Sequence, residues 1–275
     1  MYDLHVHTTA SDGVLTPAEV IVRALQSGLT GLAITDHDTL DGIKPAQTFI
    51  QTKQIKLDFI PGIELNTDYG DDEVHILGYF IADRDGRMAE RLAYIRRERW
   101  NRAEKIVAKL NQLGVNITME QVKHCAEGQL IGRPHIARAL CHLGVVSTEE
   151  EAFDKYIDHS RPAYIRRYKF TPEEAISLIN MAGGVSVLAH PGLIRDQDKI
   201  GQIIAMGIEG LEVYYPEHQP AQIEQLTALA QEHHLLITGG SDFHGTGSVT
   251  RDRMGASGIN SQMMDAIRRY FNKNK

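Results

Sequence analysis

Hydrophobic positions along the chain fall into two regimes. Up to about residue 83, and again from about residue 171, short apolar runs alternate with segments of helical period. "TPAEVIVRALQSG" (16–28) reads as a helix with Thr16 as cap, Pro17 at the first helical position, Glu19 closing a capping box and Gly28 at the end. "GLAITD" (31–36) reads as a buried strand, "GIKPAQTFIQ" (42–51) as a helix, "LDFIPGIEL" (57–65) as a strand and "EVHILGYF" (73–80) as another strand beside it. The rhythm resumes with "TPEEAISLINMAGG" (helix), "VSVLAH" (strand), "IGQIIAMG" (helix), "GLEVYY" (strand), "PAQIEQLTALAQEHH" (helix) and "LLITGGSD" (strand). Such alternation predicts an α/β fold with a parallel sheet, open or closed into a barrel. Between 84 and 170 the pattern is helical throughout, in four segments punctuated by Gly or Ser/Thr caps, with "RPAYIRRYKF" (161–170) as the return path. These boundaries predict a sheet unit made of 1–83 and 171–275, and a helical insertion, 84–170, lying across its mouth. No fixed-period repeat or Pro/Gly/Ser-rich linker separates the two.

Composition narrows the chemistry. With 42% hydrophobic and 24% charged residues over 275 positions, the chain has the makings of a full globular core. A formal charge of -7 opposes non-specific coating of nucleic acid, so a stable nucleic-acid complex is not expected. No leader pattern and no 18-residue apolar stretch stands out, which predicts a cytoplasmic protein without a membrane partner. The two cysteines, Cys125 and Cys141, form no CxxC pair. Any metal must therefore rely on nitrogen and oxygen.

The strand ends carry those atoms. Asp3, His5 and His7 alternate along "DLHVH" and so face one side of the first strand. Asp12 follows in a Ser-Asp-Gly turn; Asp36-His37-Asp38 follow the second strand, and Glu64 the third. His75 lies within "EVHIL", His190 follows "VSVLA", and Asp242 with His244 follow "LLITGGS". Taken singly, each is compatible with a turn residue or a satisfied core histidine. Six histidines and three carboxylates converging on one end of a sheet are instead costly to desolvate without a cation. The pattern predicts a multinuclear metal site.

The set "DLHVHT", "SDG", "TDHD", "GIE", "VHILG", "AHPG" and "SDFH" resembles the polymerase-and-histidinol-phosphatase (PHP) superfamily of metal-dependent phosphoesterases over nearly the whole chain. With "RPHIAR" and the helical insertion, it is most similar to the nucleoside 3',5'-bisphosphate phosphatases that also act as 5'-to-3' exoribonucleases. The resemblance implies a distorted (β/α)7 barrel and two or three divalent ions, manganese before zinc or iron. It also implies the ligand set His5, His7, Asp12, His37, Glu64, His75, His190, Asp242 and His244, with Glu64 as the bridge. Asp3 and Asp38 then orient ligands. Ions spaced in this way hold phosphoryl oxygens and supply a bridging hydroxide as nucleophile, so no protein nucleophile is required.

Substrate choice is expected from the insertion. Arg99 and Arg102 are three apart and share a helix face, while Arg133 and His135 open another helix, whose first amides favour an anion. By the resemblance Arg99 and Arg102 bind substrate phosphate; Arg133 and His135 are a second pair of candidates for it. Ile136 stands where the family often has an aromatic. His218, after "GLEVYY", is a possible proton donor. The expected substrate is a nucleotide or a short single-stranded RNA with a 5'-phosphate. The alternatives are a histidinol-phosphate phosphatase and, in another class, a catalytically inert metal-stabilised binding domain. The sequence leaves oligomeric state open.

Overall fold

The computed structural model describes residues 1–82, 86–126, 130–166, 168–246 and 253–274; the expected boundary at 83/84 lies outside them. The sheet unit runs β1 (Tyr2–Asp3), α1 (Pro17–Gln26), β2 (Gly31–Ile34), α2 (Ile43–Lys53), β3 (Asp58–Tyr69) and β4 (Asp72–Tyr79). It resumes with α7 (Pro172–Met181), β5 (Val185–Leu188), α8 (Asp198–Ala205), β6 (Gly210–Tyr214), α9 (Pro220–Glu232), β7 (Leu236–Gly239) and α10 (Ser261–Asn274). Between them lie α3 (Arg87–Gln112), α4 (Met119–His124), α5 (Arg133–His142) and α6 (Glu149–Ala152).

Local chemistry starts the helices as expected. Thr16 accepts from the Glu19 amide (3.3 Å) while Glu19 accepts from the Thr16 amide (2.8 Å), and Thr171 with Glu174 repeats this box.

The seven strands pair in chain order. Pairings β1–β2, β2–β3, β5–β6 and β6–β7 are parallel; β3–β4 and β4–β5 are antiparallel. The sheet nearly closes on itself, because residues 4–7 continue beyond β1 in extended form against the end of β7. The Leu4 amide donates to Gly239 O (3.2 Å), the Phe243 amide to His5 O (3.4 Å) and the His7 amide to Phe243 O (2.9 Å). The result is a distorted seven-stranded α/β barrel. Gly240 is required at this seam: a Cβ there would lie 2.3 Å from the Cβ of His5 and 2.4 Å from its nitrogen.

The reversed direction of β4 carries a consequence for the site. β3 is 12 residues long; its first four residues pair with β2, and the remaining eight form a hairpin with β4. β4 therefore starts where its neighbours end, and His75 sits at the mouth although it lies early in its strand.

The helices from α3 to α6 pack around a core of their own, which includes Ile106, Leu110, Ile117, Ile136, Leu140 and Ile157. The N-terminal part of α3 joins the barrel core instead, through Met88, Leu92 and Ile95. One long helix thus contributes to both hydrophobic clusters. After α6 the chain widens into a π-helical turn, Phe153–Ile157, an irregularity that often marks functional ground.

Candidate metal centre

Nine side chains delivered by six strand ends and the Ser-Asp-Gly turn meet in one buried space. Glu64 is its hub. Its Oε2 lies 2.9 Å from His37 Nδ1 and 3.2 Å from both His5 Nε2 and His7 Nε2; its Oε1 lies 2.8 Å from His75 Nδ1 and 3.3 Å from His190 Nε2. Asp242 Oδ1 is 3.1 Å from His7 Nε2 and 3.4 Å from His5 Nε2. Asp12 approaches His244 Nε2 at 3.3 Å, and His7 Nδ1 and His37 Nε2 at 3.7 Å each. Three overlapping donor sets result: His7, Asp12, His37 and His244; His5, His7, Glu64 and Asp242; His37, Glu64 and His75. Within each set the donor atoms lie within 4.8 Å of one another.

The donor atoms fit divalent ions better than they fit one another. His5 Nε2, both ring nitrogens of His7, His37 Nδ1, Asp12 Oδ1 and Glu64 Oε2 are all buried and make no hydrogen bond, an arrangement a folded core avoids unless another group completes it. The electrostatics agree. Burial alone would raise the three carboxylates, yet the surrounding histidines hold Glu64, Asp12 and Asp242 well below the usual carboxylate range. Against the burial that opposes their charge, His7 is pushed up to about 10 and His75 to about 9 by their carboxylate neighbours. The space attracts positive charge, and an imidazole-carboxylate donor set without thiolate suits manganese, iron or zinc.

A second layer aims these side chains, and part of it escaped the sequence reading. Glu212, fully buried in β6, accepts from His5 Nδ1 (3.0 and 3.2 Å) and from the His190 amide (2.7 Å). It fixes the tautomer that leaves His5 Nε2 facing the centre. The only sequence signal was a carboxylate alternating with apolar residues in "GLEVYY". Asp36 holds the Ser-Asp-Gly turn by accepting from the Thr8 amide (2.7 Å), Thr8 Oγ1 (2.7 Å) and Ser11 Oγ (2.6 Å). Asp3 accepts from Ser241 Oγ (2.6 Å), the Ser241 amide (2.9 Å) and the Gly255 amide (2.8 Å), locking the segment that carries Asp242. The Tyr215 hydroxyl donates to Asp242 Oδ2 at 2.9 Å. Asp38, His190 and Asp242 all adopt positive φ (49°, 30° and 51°), strain that these contacts hold in place. Replacing Glu212 with Gln is expected to weaken metal binding by about 10–100-fold with the fold intact; a metal titration followed by calorimetry checks it, and unchanged affinity would remove Glu212 from the second layer.

Outside the metal space lies a cavity of about 290 Å³ shared by barrel and insertion. Asp12, His37 and His75 line it on the barrel side with Asp38, Asn66 and Glu73; the insertion adds Arg99, Arg102, Arg133 and Glu98, and Ile95, Phe153, Tyr168 and Phe170 supply an apolar side. A second cavity of about 300 Å³ shares Asp12, His37, Glu73 and His75 with it and continues over Glu64, His190 and Asp242. Arg99 is held by Asp38 through its Nε (2.8 Å) and Nη2, and Asp38 in turn accepts from the Asn66 amide and Nδ2, both at 3.0 Å. Arg102 Nε donates to Ile165 O (2.7 Å). Arg133 Nη2 donates to Glu73 (3.1 Å), and its guanidinium lies 5.5 Å from the Phe153 ring centre.

His135 and His218 are placed differently from the arginines. His135 is buried, accepts from the Gly132 amide (3.0 Å) and reaches the Ser11 backbone beside Asp12; burial holds its pKa down at about 4. His218 donates from Nδ1 to Val213 O (2.9 Å) and accepts at Nε2 from the Gly192 amide (3.0 Å). Both nitrogens of His218 thus meet backbone groups, and the contact at Nε2 ties it to the turn after His190.

Known proteins resemble the chain over most of its length. A family model described as the PHP domain covers residues 3–238. The chain is 38% identical over 249 residues to the 5'-3' exoribonuclease Rnm of Escherichia coli, covering 89% of this chain and 85% of that protein. It is 34% identical over 256 residues to the 3',5'-nucleoside bisphosphate phosphatase of Chromobacterium violaceum (91% and 89%). A solved structure from Bifidobacterium adolescentis, assigned as a metal-dependent phosphoesterase, superposes with a TM-score of 0.88 at 32% identity (97% and 94%).

Proposed function

The chain belongs to the PHP domain family, and we propose that it is a metal-dependent phosphoesterase acting on nucleoside 3',5'-bisphosphates and on short 5'-phosphorylated RNA, from which it releases mononucleotides. One observation carries the reading: the histidine-carboxylate centre opens directly into a cavity whose wall carries three arginines, two of them paired with the lining carboxylates Asp38 and Glu73, and an aromatic side, a lining that suits a nucleotide bearing a second phosphate. The exoribonuclease and bisphosphate phosphatase activities named for similar proteins support the same choice. We assign His5, His7, Asp12, His37, Glu64, His75, His190, Asp242 and His244 as ligands of two or three divalent ions, manganese first. When bound, such ions supply Lewis acidity toward phosphoryl oxygens and lower the pKa of water.

The remaining work falls to the insertion, residues 84–170. Arg99 and Arg133 grip the phosphate that is not cleaved, each guanidinium already oriented by a carboxylate, Asp38 and Glu73, so little freedom is lost on binding. Arg102 adds charge from the same helix face. His135 fastens α5 to the Ser-Asp-Gly turn, which couples this grip to Asp12.

The test compares the manganese-loaded protein on adenosine 3',5'-bisphosphate, a short 5'-phosphorylated RNA and histidinol phosphate. Turnover of the first two alone supports the reading; turnover of histidinol phosphate alone overturns it. With the bisphosphate, Arg133→Ala is expected to lower kcat/KM by about 10–100-fold, the worth of a charge-assisted bidentate contact of about 1.5–3 kcal/mol. A fall no larger than that seen with a substrate bearing a single phosphate would remove Arg133 from the phosphate site.

A further inference from the structure

We propose that the rim of the arginine-lined cavity, running outward over Tyr168 and Tyr94, is a track for single-stranded RNA that holds the nucleotide following the one being released. This rests on the reading of the site as a nucleotide phosphoesterase and names what distinguishes its polymeric substrate from a mononucleotide.

Helix α3 carries two parallel stripes. Ile95, Arg99 and Arg102 lie at spacings of four and three and face the cavity. Arg91, Tyr94 and Arg97, spaced three apart, form the adjoining stripe along the rim. Tyr168 lines the cavity itself, and its ring meets that of Tyr94 edge-on at 5.0 Å and 75°. The Arg97 guanidinium lies 5.1 Å from the Tyr94 ring centre, and Arg97 is exposed. Arg91 lies 5.6 Å from Tyr94, 5.4 Å from Tyr168 and 4.8 Å from Phe170, and Lys169 is exposed between the last two. Aromatic rings interleaved with cations, continuous from the active cavity to solvent, are the composition that holds single strands: each base has a face to stack, and each linkage a phosphate to neutralise.

The placement argues against a purely structural cluster. Arg91, paired with Glu174 at 3.2 Å, already ties the 168–170 strap to α3 and α7. Arg97 extends the stripe onto exposed surface. In a chain of net charge -7 this local basic stripe stands out against its surroundings, although Glu98 flanks it. A mononucleotide confined to the cavity gains nothing from it, whereas a strand whose 5' end occupies the cavity must leave somewhere, and Tyr168 to Tyr94 is an aromatic exit.

The experiment uses the manganese-loaded full chain and its Tyr94→Ala, Tyr94→Phe and Arg97→Ala variants. Two readouts are taken: fluorescence anisotropy with a labelled 5'-phosphorylated pentaribonucleotide, and steady-state kinetics on that oligomer and on adenosine 3',5'-bisphosphate. The expected result is that Tyr94→Ala and Arg97→Ala each weaken oligomer binding and raise its KM by about tenfold. Bisphosphate KM is expected to stay at the wild-type value, and Tyr94→Phe to retain oligomer binding. Unchanged oligomer binding in both Ala variants overturns the track, as does an equal loss with both substrates, or displacement of the RNA by poly-glutamate at matched charge. Failure of the wild type to turn over the bisphosphate would instead sink the reading of the site, a result independent of the anisotropy.

Discussion

Glu64→Gln is expected to abolish stoichiometric metal binding and to lower phosphoesterase activity by about a thousandfold. The substitution keeps the shape of the side chain and removes its charge, so the packing around it is preserved. What it takes away is the group that touches five of the six clustered histidines, at 2.8 to 3.3 Å. An amide presents one acceptor oxygen and a pair of donors, and cannot serve two cations from its two ends. Loss of Lewis-acid stabilisation amounts to several kcal/mol, and each 1.36 kcal/mol is tenfold in rate, which sets the thousandfold scale. Elemental analysis of the purified variant, with near-ultraviolet circular dichroism to verify the fold, makes the measurement. A variant that keeps its full metal content would show that Glu64 is a spectator between histidines.

What the chain discloses in advance and what it hides follows from the range of each interaction. His5, His7 and Asp12 were legible because their spacing is local: period two on a strand and a turn immediately after it. His37, His190 and Asp242 were legible because parallel strands put their C-terminal ends on one face, so position within a strand stands for position in space. His75 breaks that rule and still arrives, since β4 runs antiparallel and its beginning, not its end, reaches the mouth. Periodicity suggested that β3 and β4 were neighbours, but it carries no information on direction.

Glu212 was missed for the opposite reason. A carboxylate inside a buried strand is anomalous, yet its meaning depends on His5, 207 residues away. The arginines show the same limit. Helical spacing put Arg99 and Arg102 on one face, but that Asp38 is the carboxylate anchoring Arg99 is a contact across 61 residues. Position after a strand makes His218 a candidate for proton transfer, whereas its contacts with Val213 O and the Gly192 amide depend on how the neighbouring turns fold and are invisible in the sequence. In the insertion, helix content was predictable, whereas the π-helical turn that brings Phe153 to the cavity was not, because it differs from an α-helix by one residue per turn of register.

Stripping the metal is the perturbation expected to reach furthest. Exhaustive chelation should abolish turnover of every phosphoester substrate and also lower the thermal midpoint, by about 5–10 °C for each ion lost, relative to protein held at a hundredfold excess of manganese over its dissociation constant. The second effect is mass action: a ligand at that excess stabilises the native state by about 2.7 kcal/mol per site, and for a chain of this size each kcal/mol moves the midpoint by about 2–4 °C. The structure adds a reason for the two effects to move together. The nine clustered side chains come from β1, β2, β3, β4, β5 and β7 or the residues next to them, and Asp3, Asp36 and Glu212 tie these segments to the seam where residues 4–7 close the barrel. A cation held there would cross-link the seam, so its removal should loosen closure as well as chemistry. Scanning calorimetry on chelated and manganese-restored samples checks both, and full recovery of midpoint and turnover on restoring the metal is expected. An unchanged midpoint alongside lost activity would mean that the ions bind a barrel already rigid without them, and that closure rests on the backbone bonds of the seam alone.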